Sequence, residues 1–218
     1  MRTPNARHGA NEGSIGPDRH GRFTQAERSA RTRGALLESA ARELSRHGYG
    51  NLVLEQVASD AGYTRGALYH QFGGKQELTL AVFEWVLETW EQEVGRPVER
   101  ETDPVAALLA MARGHAVFCR RDIARVAIAL RLEFSGRDHP VGREVEKGYE
   151  QLVEYCVSLI RAGRESDAIP SGPPARTLAQ AFVGALEGTT IALAGQAPYD
   201  ETLAACAAAG ILGLDSPS

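Results

Sequence analysis

The sequence predicts an all-α fold, and three features carry that prediction. Apolar residues recur at intervals of three and four, N-capping residues and glycines punctuate those runs, and no stretch alternates as a strand would. There is no internal repeat. The 218 residues, 43% of them apolar, are enough to bury a core and to form one or two domains.

The elements follow in order. Residues 1–22 hold Gly, Pro, Asn, Arg and His with almost no apolar side chains, so a disordered tail is expected. Arg2, Arg7, Arg19 and Arg22 would make it a basic arm that reaches a DNA backbone or minor groove, or else a solvated tail without contacts. Thr24-Gln25-Ala26-Glu27 has capping-box spacing and opens a helix that runs to about His47. Ala35, Leu36, Leu37, Ala40, Ala41 and Leu44 form its apolar stripe, and Gly48 stands where a glycine stop belongs. Residues 53–72 then read as two short helices. Val57, Ala58 and Ala61 share one face, Gly62 closes the first helix, and Thr64 caps the second. Leu68 and Phe72, four apart, point to the core and leave Arg65, Gly66, Ala67, Tyr69 and His70 on other faces. Helix, glycine turn, helix is the helix-turn-helix pattern. After Gly73-Gly74, Lys75 opens a helix through Leu78, Val82, Phe83, Val86, Leu87 and Trp90 to about Val94, long enough to bridge into a second domain. The expected organisation is a helix-turn-helix domain over residues 23–78 and a helical domain over residues 79–218.

The second domain reads as further helices. Asp103-Pro104 is an N-cap with proline at the first helical position. Helices are expected through Leu108–Cys119, through Ile123–Phe134 after Asp122, through Val145–Leu159 to about Gly163, over about 174–195, and over 200–213 with Asp200 as cap. Charge divides along the chain. Residues 1–78 hold 11 Lys+Arg against 8 Asp+Glu, and residues 79–218 hold 13 against 20. Only the first part suits a polyanion. Cys119, Cys156 and Cys206 are far apart and form no disulfide framework, which suits a reduced, cytoplasmic setting. No signal peptide is expected from Met1–Ala6, and Leu203–Leu214 is too short to span a bilayer, so no membrane partner is expected.

Residues about 30–90 resemble the DNA-binding domain of the TetR family of bacterial transcriptional regulators. The residues that carry the resemblance are Ala40, Gly48, Val57-Ala58, Ala61-Gly62, Leu68-Tyr69, Phe72, Lys75 and Leu78. It implies a roughly palindromic double-stranded DNA operator, a homodimer, a small-molecule effector and no cofactor. It also implies that Tyr69 and Lys75 touch phosphates. Val53 departs from the pattern: the family often has Thr there, capping the helix and touching DNA. Asn51 is the alternative cap if the helix starts earlier.

The residue chemistry assigns further contacts. Arg65 can bond bidentately to guanine, and Ala67 can pack on a thymine methyl. Gly66 lets the backbone approach DNA closely, while Thr64, Tyr69, His70 and Lys75 suit phosphates. Gln56 sits near the backbone, and Glu55 would repel it. Leu178, Phe182, Leu186, the pair Gly184 and Gly188, and Ala205 and Ala208 are read as a dimer interface. Phe83, Trp90, Met111, His115, Phe118, Leu130, Phe134, Tyr149, Val153 and Cys156 are read as lining a ligand pocket. Arg131, Glu133, Tyr155 and Glu187 are polar groups interleaved with them. His115 and Cys119, four apart, lack a second pair, so no metal site is assigned. No nucleophile elbow and no phosphate-binding glycine loop is present, and no catalytic residue is assigned. The resulting expectation is a regulator released from its operator by an effector. A helical enzyme and an interaction module that never meets DNA are the alternatives.

Overall fold

The computed structural model describes residues 24–193 and 196–215, and among these every regular element is helical. The tail expected over residues 1–22 lies outside them. Helix α1 spans Gln25–His47 and begins at the capping box: Thr24 Oγ1 accepts from Glu27 N, and Glu27 accepts from Thr24 N. Helices α2 (Leu54–Asp60) and α3 (Arg65–Phe72) meet at Gly62, whose φ of 76° lies where only glycine is comfortable. Thr64 caps α3 by accepting from Ala67 N.

These three helices close on a small core. Leu36, Ala40 and Leu44 of α1 are fully buried, as are Val57 of α2 and Leu68 of α3. Truncating a side chain such as Leu68 to Ala costs about 2–5 kcal/mol, a large part of a domain's net stability. The Ser39 hydroxyl, buried in α1, donates to Val57 O at 3.0 Å and ties α2 to α1. Asn51 does not cap α2. Its amide donates to His47 O at 3.1 Å, and Val53 occupies the cap position without a side-chain bond.

Helix α4 (Lys75–Trp90) runs on through a π-helical turn, Glu91–Gly95, into α5 (Arg96–Glu99), so the bridging helical rod extends past Val94. Helices α6 (Pro104–Phe118), α7 (Ala124–Phe134), α8 (Pro140–Glu165), α9 (Ala175–Leu193) and α10 (Tyr199–Leu212) pack beside it. Asp103 caps α6 by accepting from Ala106 N at 2.7 Å. Asp200 is not the cap of α10. It lies in the first turn, buried, where it accepts two bonds from the Arg120 guanidinium at 2.8 and 2.9 Å and links α10 to the end of α6. No described helix is long and apolar enough to cross a membrane.

Candidate DNA-contact surface and ligand cavity

Helix α3 presents Arg65, Gly66, Tyr69 and His70 to solvent beside the exposed Glu55 and Gln56 of α2. In the free protein most of these side chains already have partners. Arg65 pairs with Glu55, donates to Tyr69 Oη at 3.2 Å, and lies 5.2 Å from the centre of the Tyr69 ring. The Tyr69 hydrogen bond, followed by the Glu55 charge, holds the Arg65 guanidinium above its ordinary pKa. Gln56 donates to Asp60 at 2.7 Å, and Thr64 is occupied as the cap. Ala67 is half-buried, and a side chain at Gly66 would meet only Thr64 Oγ1 at 3.8 Å. Among the described residues nothing therefore requires glycine at position 66.

Lys75 is turned inward at its own end of α4. Its Nζ donates to Gly50 O at 3.0 Å and sits 4.8 Å from the centre of the Tyr49 ring. The same loop is held from the opposite side. Glu133, at the end of α7, accepts from Tyr49 N and Gly50 N, both at 2.6 Å. Gly48, at φ 73°, turns the chain so that those two N–H groups converge on one carboxylate. The Gly50 residue is thus gripped by α4 through its carbonyl and by α7 through its N–H. The sequence gives no local signal for this, because Glu133 lies more than 80 residues from its partners.

Both gripping helices also wall a cavity of about 470 Å³. Phe83, Trp90, His115, Phe118 and Tyr149 line it, and α7 contributes Ala124, Ala127, Ile128 and Arg131. Arg131 donates to Glu187 of α9 at 2.8 Å and stacks 3.3 Å from the centre of the Tyr149 ring. His115 accepts from Trp90 Nε1 at 3.2 Å through Nδ1, while its Nε2 lies 3.3 Å from Cys119 Sγ. Burial pushes the His115 pKa down to about 4 and the Cys119 thiol up to about 11, so both are neutral near pH 7. Among the described residues no cluster of three or more potential metal ligands forms.

Five residues read as pocket lining stand elsewhere. Met111, Leu130, Val153 and Cys156 are fully buried between helices, where neighbouring side chains fill the space, and Cys156 Sγ lies 3.7 Å from Met111 Sδ. Phe134 packs on the His139 and Tyr49 rings, with centroids at 4.5 and 5.1 Å, and so braces the Tyr49 loop instead of the cavity. The wall instead includes Glu88, Glu91 and Glu99, which the apolar pattern does not single out. The π turn contributes to this, since Glu91 and Gly95 belong both to it and to the wall.

The residues read as a dimer interface also divide. Leu178, Phe182, Leu186, Ala205 and Ala208 are buried in the chain's own core, because α9 and α10 turn those faces toward α6, α8 and each other. Gly184 and Gly188 face outward with open space before them, on the side of α9 that also exposes Ile191.

Comparison with known proteins places this geometry in context. Residues 36–82 match the family model for bacterial regulatory proteins of the tetR family. The HTH-type transcriptional regulator CymR of Pseudomonas putida is 45% identical over 67 residues, 31% of this chain and 33% of that protein. HbdR of Aromatoleum sp. (strain CIB) is 33% identical over 76 residues, 35% of this chain and 33% of its own length. The alignments thus span about a third of these curated relatives. Among solved structures, AibR in complex with isovaleryl coenzyme A and operator DNA superposes with a TM-score of 0.67 at 19% identity. That match covers 86% of this chain and 100% of AibR.

Proposed function

We propose, from the premise that the amino-terminal part of this chain belongs to the TetR family of bacterial regulatory proteins, that the protein is a homodimeric, sequence-specific DNA-binding transcriptional regulator whose cavity takes a small-molecule effector. We assign it no catalytic role and place it in the cytoplasm. The observation that carries the reading is the grip on Gly50 by two helices that also wall the cavity. A regulator needs a mechanical path from ligand to DNA, and α4 and α7 supply one. AibR, a protein of the same fold, has been seen with ligand and operator DNA together.

The mechanism follows from the placement of the charges. Helix α3 enters the major groove with its amino-terminal residues toward the bases. Arg65 leaves Glu55 and Tyr69 to bond guanine, and Ala67 meets a thymine methyl. Thr64, Tyr69, His70 and Gln56 reach phosphates from the surrounding surface, with the backbone at Gly66 approaching closely. Lys75 reaches a phosphate only by releasing Gly50 O. The outward face of α9 with Gly184, Gly188 and Ile191, beside Leu203 of α10, meets its twofold mate. The two α3 helices then stand about one DNA turn apart, roughly 34–36 Å. Effector binding moves α7 relative to α4, changes the purchase on Gly50, and lowers operator affinity. Couplings of this kind are about 1–3 kcal/mol, or roughly 5- to 150-fold.

The test is a binding selection on random duplexes with the full chain, with sedimentation run alongside. The expected result is an enriched, roughly palindromic site bound by a dimer. Absence of enrichment, or a stable monomer bound to DNA, contradicts the reading.

A further inference from the structure

The cavity wall carries an unbalanced charge. Glu88, Glu91, Glu99 and Glu187 line it against a single guanidinium, Arg131. That guanidinium is already matched by Glu187 at 2.8 Å. Among the described residues no ion pair engages Glu88, Glu91 or Glu99, and His115, held neutral by burial, adds no positive charge near pH 7. The remaining wall is largely apolar and aromatic, with Phe83, Trp90, Phe118 and Tyr149 among its residues.

The cavity also contains a formed seat for a cation. The Arg131 guanidinium lies 3.3 Å from the centre of the Tyr149 ring while it donates to the Glu187 carboxylate. A π face next to a carboxylate, both partly shielded from water, is the arrangement that holds an organic cation. Here the chain's own guanidinium occupies it.

Resting on the reading of this cavity as the effector site, we propose that its ligand is an organic cation bearing aromatic or bulky apolar groups, which competes with Arg131 for Tyr149 and Glu187. The apolar groups fill the space between Phe83, Trp90 and Phe118, and the charge meets the carboxylates. An anion of the same shape meets an excess of negative charge. Competition at Arg131 also reaches the DNA-binding part, because Glu133, two residues further along α7, holds the Gly50 loop.

Tetraphenylphosphonium and tetraphenylborate have nearly the same shape and opposite charge, which makes them suitable probes. Titration calorimetry on the full chain should show the cation binding at least tenfold tighter at low ionic strength, with the ratio shrinking as salt is added. Glu91→Gln and Glu99→Gln lie on the exposed rim, where folding is insensitive to them, and each should weaken the cation about two- to fivefold. Arg131→Met should tighten the cation by removing its competitor. The proposal is overturned if the borate binds as well or better, if neither ion saturates, or if Arg131→Met weakens the cation. Operator binding is measured separately. Retained specific DNA binding with a preference for the anion removes the ligand class alone. Cation preference without specific DNA binding removes the regulatory reading and leaves the ligand class standing.

Discussion

The same three residue types, arginine, glutamate and tyrosine, meet at two places in this molecule, and the surroundings give them different tasks. On α3, Arg65 pairs with Glu55 and Tyr69, with side chains of Arg65 and Glu55 59% and 54% exposed. In the cavity, Arg131 pairs with Glu187 and stacks on Tyr149, with side chains of Arg131 and Glu187 31% and 26% exposed. Water competes freely for the first cluster, so its bonds are worth little and are readily exchanged for those of another polar partner. The second is partly removed from water, so breaking it leaves a charge that solvent only partly compensates. An exposed trio can hold a reading side chain in waiting, whereas a shielded one fixes helices relative to each other.

Acid is the strongest way to separate the two regions. His115 touches Trp90 and Cys119 in the cavity, with Glu187 on the same wall. Its folded pKa of about 4 lies below the ordinary 6.5. The unfolded chain therefore binds more protons between those values, and stability falls as pH drops from 6.5 toward 4. The full loss is about 3 kcal/mol. Thermal unfolding from pH 7 to pH 5 should show this slope, and His115→Gln should flatten it. If the slope is unchanged, His115 is not buried neutral in the cavity wall.

Arg131→Met should come next, costing about 1–2 kcal/mol in urea unfolding because Glu187 loses its partner while partly shielded. Removing both charges, Arg131→Met with Glu187→Gln, should restore most of that. Glu133→Gln follows, at about 1 kcal/mol, since an amide replaces a carboxylate that accepts from two N–H groups. Its distinguishing effect is on communication: an effector that releases wild type from operator should release this variant less, a difference that fluorescence anisotropy reads directly. The smallest effect on stability belongs to the exposed cluster. Glu55→Gln should leave the melting temperature unchanged and raise affinity for any duplex about two- to fivefold, by freeing Arg65 and removing a charge that repels phosphate.

The helix-turn-helix was legible because its signals are local. The Thr24–Glu27 box, Gly62 and Thr64 each act within four residues, and the structure uses all three as the sequence suggests. The inward faces of the later helices were legible too. What those faces meet was not. Met111 and Trp90 both fall on apolar stripes, yet Met111 is fully enclosed by neighbours and Trp90 borders empty space. Periodicity tells which way a side chain points, and only the assembled helices decide whether a partner is there. The same holds at α9 and α10, where Leu178, Phe182 and Leu186 point inward and Gly184 and Gly188 point outward from one helix. Glu133 falls among the polar groups interleaved with the pocket residues, but its role escaped sequence reading for a related reason: its partners are backbone N–H groups in a distant loop, which no side-chain pattern announces.

The exposed cluster on α3 is where the proposed function is decided, and Arg65 is its centre. The selected operator and a scrambled duplex should be titrated with wild type and with Arg65→Ala at one fixed salt concentration. Wild type should prefer the operator by at least about a thousandfold. Arg65→Ala should lose about 1–3 kcal/mol of that preference, roughly 5- to 150-fold, with its melting temperature unchanged. Equal preference in the two proteins would contradict the assignment of Arg65 as the residue that reads a base.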